Sequence, residues 1–189
     1  MSESQQVNFE LQPVLQDELI VIRPLEEKDF EDLFNVASDP DIWVQHPNRD
    51  RYKREVFENF FEGAIKSKGA FIVKDKKSGE VIGSSRYYDL PEVKSGIAIG
   101  YTFLARHCWG TTYNRALKTM MLDHAFKFVD TVYFHIGEVN VRSQKAIEKL
   151  GAEKIGEKEM EYYGERKYLN LVYKMEKSRW EKIKLSFQK

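Results

Sequence analysis

Residues 99 to 114 read Ile-Gly-Tyr-Thr-Phe-Leu-Ala-Arg-His-Cys-Trp-Gly-Thr-Thr-Tyr-Asn, an apolar run feeding a short Gly/Thr loop and then a long helical pattern. Free backbone N–H groups and the helix dipole make such a junction a site for phosphate. Thr111 and Thr112 can cap the helix or donate hydroxyls to an anion. A second constellation, Asn140-Val141-Arg142-Ser143, stands at the head of another helical pattern. Asn140 is a good N-cap, and Ser143 falls one turn on, near the same face. Carboxylates and imidazoles that could move a proton lie close by in sequence: Glu161, Glu138 and His135. Each has a plainer reading as well. Glu161 sits among the charges Glu157, Lys158 and Glu159, and His135 fits a partly buried structural histidine. His124 lies on an apolar stripe and reads as packing.

These residues need elements to position them. Glu18–Arg23 is a short apolar run stopped by Pro24, hence a strand. Phe30, Leu33, Phe34 and Ala37 have helical spacing, as do Val56, Phe57, Phe60, Phe61, Ala64 and Ile65. Strands are expected at 70–74, 81–88, 97–104 and 131–136, with a hairpin turning at Tyr163-Gly164. The longest helix carries the stripe Leu117, Met120, Met121, His124, Ala125 and Phe128. A helix from about Asn140 stops at Gly151, and Ser178 with Glu181 forms a capping box for a terminal helix over 177–189. Residues 1–14 read as a tail. The expected fold is one mixed α/β domain over 1–189, with a mostly antiparallel twisted sheet of about seven strands flanked by helices.

Composition narrows the function classes. Thirty basic residues balance thirty acidic ones, which argues against a general nucleic-acid binder. The balance is uneven along the chain: residues 1–41 hold 11 acidic and 2 basic side chains, and the remainder 19 and 28. The single cysteine, Cys108, excludes an internal disulfide framework and a multi-cysteine metal site, so no metal is expected. No apolar run resembles a signal peptide or approaches the ~18 residues a membrane span needs. A cytoplasmic location and no membrane partner follow as expectations.

In order and spacing, these stretches resemble the GNAT superfamily of acetyl-CoA-dependent N-acetyltransferases, in particular its ribosomal-protein N-terminal (Rim-type) branch. The resemblance spans about Leu19 to Met175. It rests on Leu19–Leu25 with Asp29-Phe30, on Ile99-Gly100-Tyr101 with Trp109-Gly110 and the helix ending Leu122–Phe126, on Asn140–Ser143 through Gly151, and on Glu161–Tyr168. It implies a sheet splayed between the fourth and fifth strands, acetyl-CoA as co-substrate and a primary amine as acceptor. By the same resemblance Phe103 and Leu104 offer main-chain groups to pantetheine and to an oxyanion. Trp109, Gly110, Thr111, Thr112, Tyr113 and Asn114 hold the pyrophosphate, and Asn140 binds the pantetheine arm. Ser143 donates a proton to sulfur and Glu161 is the catalytic base. Arg86-Tyr87-Tyr88 and Trp43 either line an acceptor pocket or are ordinary aromatics of the sheet.

Two departures stand out. The family's loop usually reads Gln/Arg-x-x-Gly-x-Gly/Ala, where this chain has Trp109, Thr112 and Asn114. The tyrosine many relatives use as general acid is replaced by Ile147. The acceptor is then a protein N-terminal amine or a small amine such as a polyamine or antibiotic; a catalytically silent CoA-binding or interaction module is the alternative. The resemblance is compatible with a monomer or a homodimer.

Overall fold

A computed structural model describes residues 8–89 and 96–187. Eight strands form one open sheet, β1(Leu15–Gln16), β2(Ile20–Pro24), β3(Ala70–Asp75), β4(Val81–Tyr88), β5(Ile97–Leu104), β6(Thr131–Gly137), β7(Glu153–Glu161) and β8(Lys167–Glu176). Their spatial order is β1-β2-β3-β4-β5-β6-β8-β7. Five α-helices accompany them: α1(Phe30–Ala37), α2(Arg54–Ser67), α3(Tyr113–Ala125), α4(Val141–Leu150) and α5(Lys177–Ser186). The eighth strand, absent from the sequence reading, is the two-residue β1; two residues carry no period that a pattern could register.

The sheet is antiparallel except at one seam. There β5 and β6 run parallel and pair only at Ile97↔Val132 and Ala98↔Tyr133. Both strands continue for several residues past that point, so the sheet splays open between them. A register shift opposite β4 accompanies the left-handed backbone of Tyr101 (φ 52°). That bulge resets which face each following side chain takes. Ile97 and Ile99 pack with α3, whereas Tyr101 and Phe103 face the α1–α2 layer. The two faces of the sheet thus carry separate cores.

The C-terminal helix covers this sheet, with Trp180 buried and its Nε1–H donating to Asp123 (2.8 Å). The expected Ser178/Glu181 box is corrected: β8 runs straight into α5, whose N-cap is Glu176 without a side-chain cap. Lys177 N–H donates instead to the carbonyl of Asp130 (3.0 Å). In the stretch expected as a tail, Phe9 is buried against Tyr87, His124 and Phe128, and Gln12 donates to Ala70 O (2.7 Å). Residues 1–7 lie outside the described residues.

Candidate functional site

The splay opens a cleft of about 930 Å³. β5 forms one wall, β6 and the start of α4 the other, and the loop before α3 closes one end. Past Ala98 the β5 backbone has no strand partner on the β6 side, which leaves its hydrogen-bonding edge to a ligand.

Phe103, Leu104, Trp109, Gly110, Thr111, Thr112, Asn114, Asn140 and Ser143 all line this cleft. Local chemistry sets their geometry. Gly110 adopts φ +70° with open space around it, a conformation natural to glycine. Thr112 is right-handed (φ −83°), so its Cβ stands where no left-handed residue is required. Thr111 Oγ1 donates to Cys108 O (2.5 Å), which binds the hydroxyl to its own loop. The α3 N-terminus has no side-chain cap from Thr112 and no acidic residue in its first turn; Tyr113 N–H makes a long bond to Thr111 Oγ1 (3.4 Å), and the positive dipole end suits an anion. Trp109 Nε1–H donates to Leu104 O (3.0 Å), and the Arg142 guanidinium stacks 3.7 Å from the Trp109 ring centroid. Across the cleft Asn140 Oδ1 accepts from Ser143 N–H (3.1 Å) and caps α4. Ile147, in place of the family's tyrosine, is buried in the same wall.

Two of the sequence-expected residues lie elsewhere. The Tyr113 hydroxyl donates to Asp75 and ties α3 to the β3–β4 turn, outside the cleft lining. Glu161 is exposed at the end of β7, and it too is absent from the lining. Its rival Glu138 is likewise exposed and outside the lining.

Rings line the other end of the cleft: Trp43, His46, Tyr88, Tyr101, His135 and Tyr162. Tyr88 Oη and His135 Nδ1 lie 2.6 Å apart, joining β4 to β6 over β5. That crossing requires Gly100, because a Cβ there would fall 2.9 Å from the Tyr88 ring. Burial, the main cause, lowers the His135 pKa below the ordinary imidazole value and raises Tyr88's well above the ordinary phenol value. His46 is lowered further, by burial and then by the charge of Arg51; both of its ring nitrogens are engaged, with Asn48 and with Arg51. Beneath the rings lies a buried ion pair. Arg51 Nη2 and Nε donate to Glu165 Oε1 (2.9 and 3.1 Å), linking the loop before α2 to the hairpin turn. Tyr87 points away and donates to Met121 O under α3 (2.5 Å).

The cleft is electrostatically one-sided. Among the described residues its lining includes Arg115, Lys118, Arg142, Lys145 and Lys149 but no aspartate or glutamate. All of these cations come from the basic part of the chain after residue 41. A helix N-terminus without a side-chain cap, the cations Arg115, Arg142, Lys145 and Lys149 and a free strand edge fit a long polyanion with amide groups. Among the described residues no group of three or more His, Cys, Asp or Glu could hold a metal ion. No helix there is long and apolar enough to cross a membrane. Cys108 is buried, and burial pushes its thiol pKa up to about 11, so it is a poor nucleophile.

Residues 20–153 match the Acetyltransferase (GNAT) domain family, and the chain belongs to that family. A GCN5-related N-acetyltransferase from Brucella melitensis superposes with a TM-score of 0.80 at 19% identity, covering 94% of this chain and 84% of its own. A spermidine N-acetyltransferase from Vibrio cholerae, solved with CoA and spermine, gives 0.63 at 18% identity over 87% and 99%. The ribosomal-protein-S5-alanine acetyltransferase from Vibrio fischeri gives 0.65 at 16% identity over 89% and 98%. The family transfers acetyl groups from acetyl-CoA to amines, and the splayed mixed sheet is the fold it uses.

Proposed function

We propose that this protein is an acetyl-CoA-dependent N-acetyltransferase whose acceptor is a single primary amine, such as a peptide α-amine. One observation carries the reading: the splayed cleft joins a lining whose charged side chains, among the described residues, are all basic to a ring-walled end containing an imidazole whose pKa burial lowers. Acetyl-CoA supplies the acetyl thioester and the departing thiolate. Trp109–Thr112, Asn114 and the amides opening α3 hold its pyrophosphate, with Arg115 and Lys145 adding charge. The edge of β5 at Phe103 and Leu104 and the side chain of Asn140 hold its amide-bearing arm. Ser143, at the start of α4, supplies a hydroxyl proton to the leaving sulfur. Among the described residues the lining holds no carboxylate, and His135 takes the proton from the acceptor amine. In the tautomer whose Nδ1–H donates to Tyr88 Oη, the Nε2 lone pair accepts that proton. A polyamine would bring further ammonium groups against the basic side chains of the lining, which favours a single amine such as a peptide α-amine.

The test is titration calorimetry with acetyl-CoA, followed by thiol release against panels of peptides and polyamines. Saturable binding with peptide-dependent thiol release supports the reading; absence of binding ends it. His135→Gln is expected to lower kcat by ~10²-fold or more with little change in acetyl-CoA affinity. Unchanged turnover in that variant removes His135 from its role.

A further inference from the structure

Lys118 belongs to no role described so far. It sits in α3, within the apolar stripe facing the sheet, and is 4% exposed. Its Nζ donates to Thr102 Oγ1 (2.5 Å), which is 2.8 Å from Ser85 Oγ. Among the described residues no carboxylate lines the cleft that Lys118 lines; its other charged lining residues are Arg115, Arg142, Lys145 and Lys149, with His46 and His135 as the imidazoles. An ammonium there has three donors, one neutral partner and no counter-charge, an arrangement that burial penalises heavily.

We propose that Lys118 is a self-acylation site, its ε-amine taking the acyl group from a thioester held in the same cleft. The inference rests on the acyl-CoA reading above and goes beyond it, since the acceptor is the protein itself. Thr102 lies in the stretch of β5 that has no partner across the splay, where the thioester-bearing arm is expected to run. Burial alone lowers the Lys118 pKa to about 7, so near neutral pH a large share is the free amine. Surface lysines differ. Lys53, Lys66 and Lys174 are each held above the ordinary lysine value, first by a hydrogen bond to a neighbouring carboxylate, and stay protonated. The nitrogen lone pair forms a C–N bond to the thioester carbonyl carbon. The C–S bond breaks with its electron pair on sulfur, and the proton shed by nitrogen passes to the thiolate. Amine and thioester thus become amide and thiol, with no oxidant or further reactant. The product suits its place: a secondary amide keeps one N–H for Thr102 Oγ1 and carries no charge to bury.

The experiment incubates the folded protein with acetyl-CoA and maps modified lysines by intact mass and peptide analysis, with calorimetry in parallel. One acetyl group per chain on Lys118 is expected, at a rate that saturates with acetyl-CoA at the calorimetric Kd and is blocked by free CoA. That rate levels off above about pH 8, whereas acylation of ordinary lysines, with pKa ~10.4, keeps rising. Lys118→Met should bind acetyl-CoA and lose the label, and Lys118→Arg serves if that variant does not fold. Binding without acylation of Lys118 overturns this inference and leaves the proposed function standing. So does label spread over surface lysines in linear proportion to acetyl-CoA, as in urea-unfolded protein. No binding at all overturns both.

Discussion

Arg51 and Lys118 are both buried cations, on opposite faces of one sheet, and they are treated oppositely. Arg51 is 2% exposed and closed in by Glu165, by His46 and by the Phe60 ring, 4.6 Å from the guanidinium. Lys118, scarcely more exposed, has the hydroxyl of Thr102 and a cleft. The first arrangement uses a charge to clamp two loops that bound the ring-walled end of the cleft. The second leaves a base without a counter-ion beside a ligand site. Burial alone therefore does not make a charge structural; a buried partner does.

The largest effect should come from breaking the paired site. Arg51→Met leaves Glu165 buried without its cation and is expected to cost about 3–5 kcal/mol in urea unfolding. A loss below about 1 kcal/mol would show that the pair is not holding the loops.

Lys118→Met should behave in the opposite sense. The folded amine has a pKa of about 7, below its unfolded value, so between that pH and ~10 the unfolded chain binds more protons. This group's burial penalty is full below about pH 7 and is relieved as pH rises. The variant should therefore be more stable than the parent at pH 6, by a few kcal/mol at most. The gap should close toward pH 10. A pH-independent difference between the two unfolding curves would contradict the unpaired state of Lys118.

Asn140→Ala removes the α4 cap and is expected to cost about 1 kcal/mol. It should also weaken CoA in calorimetry, whereas a cap with no ligand role would leave CoA affinity unchanged. The smallest effect belongs to a cation paired in solvent. Arg106 is half exposed between Asp39 and Asp41, and Arg106→Ala should leave Tm within measurement error. A clear drop in Tm would blur the distinction between surface and buried pairs.

Much of the architecture was legible because it is written in local chemistry. Asn140 as a cap and Gly151 as a stop (φ +100°) need only neighbours in sequence, and both take those places. The loop from Trp109 to Asn114 was recognisable by its Gly and Thr content between a strand and a helix. The long helix was found, but its buried stripe is turned toward Lys118 and Leu122, while Met120 and Phe128 are only partly covered. The spacing of Leu117, Met121 and Ala125 already brackets position 118; a lysine there reads as solvent-facing because charge normally excludes burial. Glu161 drew attention through its place in the hairpin, yet β7 is the edge strand of the sheet and is exposed along most of its length.

By itself the sequence determined most of the elements, their order and the cap of α4, since each depends on contacts within a few residues. It also determined that the chain after residue 41 is basic, and the cleft takes all its cations from there. Only the tertiary structure decided which charges meet. Arg51 finds Glu165 across 114 positions, Tyr88 reaches His135 across 47, and Lys118 finds no carboxylate among the described residues of its cleft. A side chain's charge is local, but the dielectric around it and the partner opposite are set by chain segments that only folding brings together.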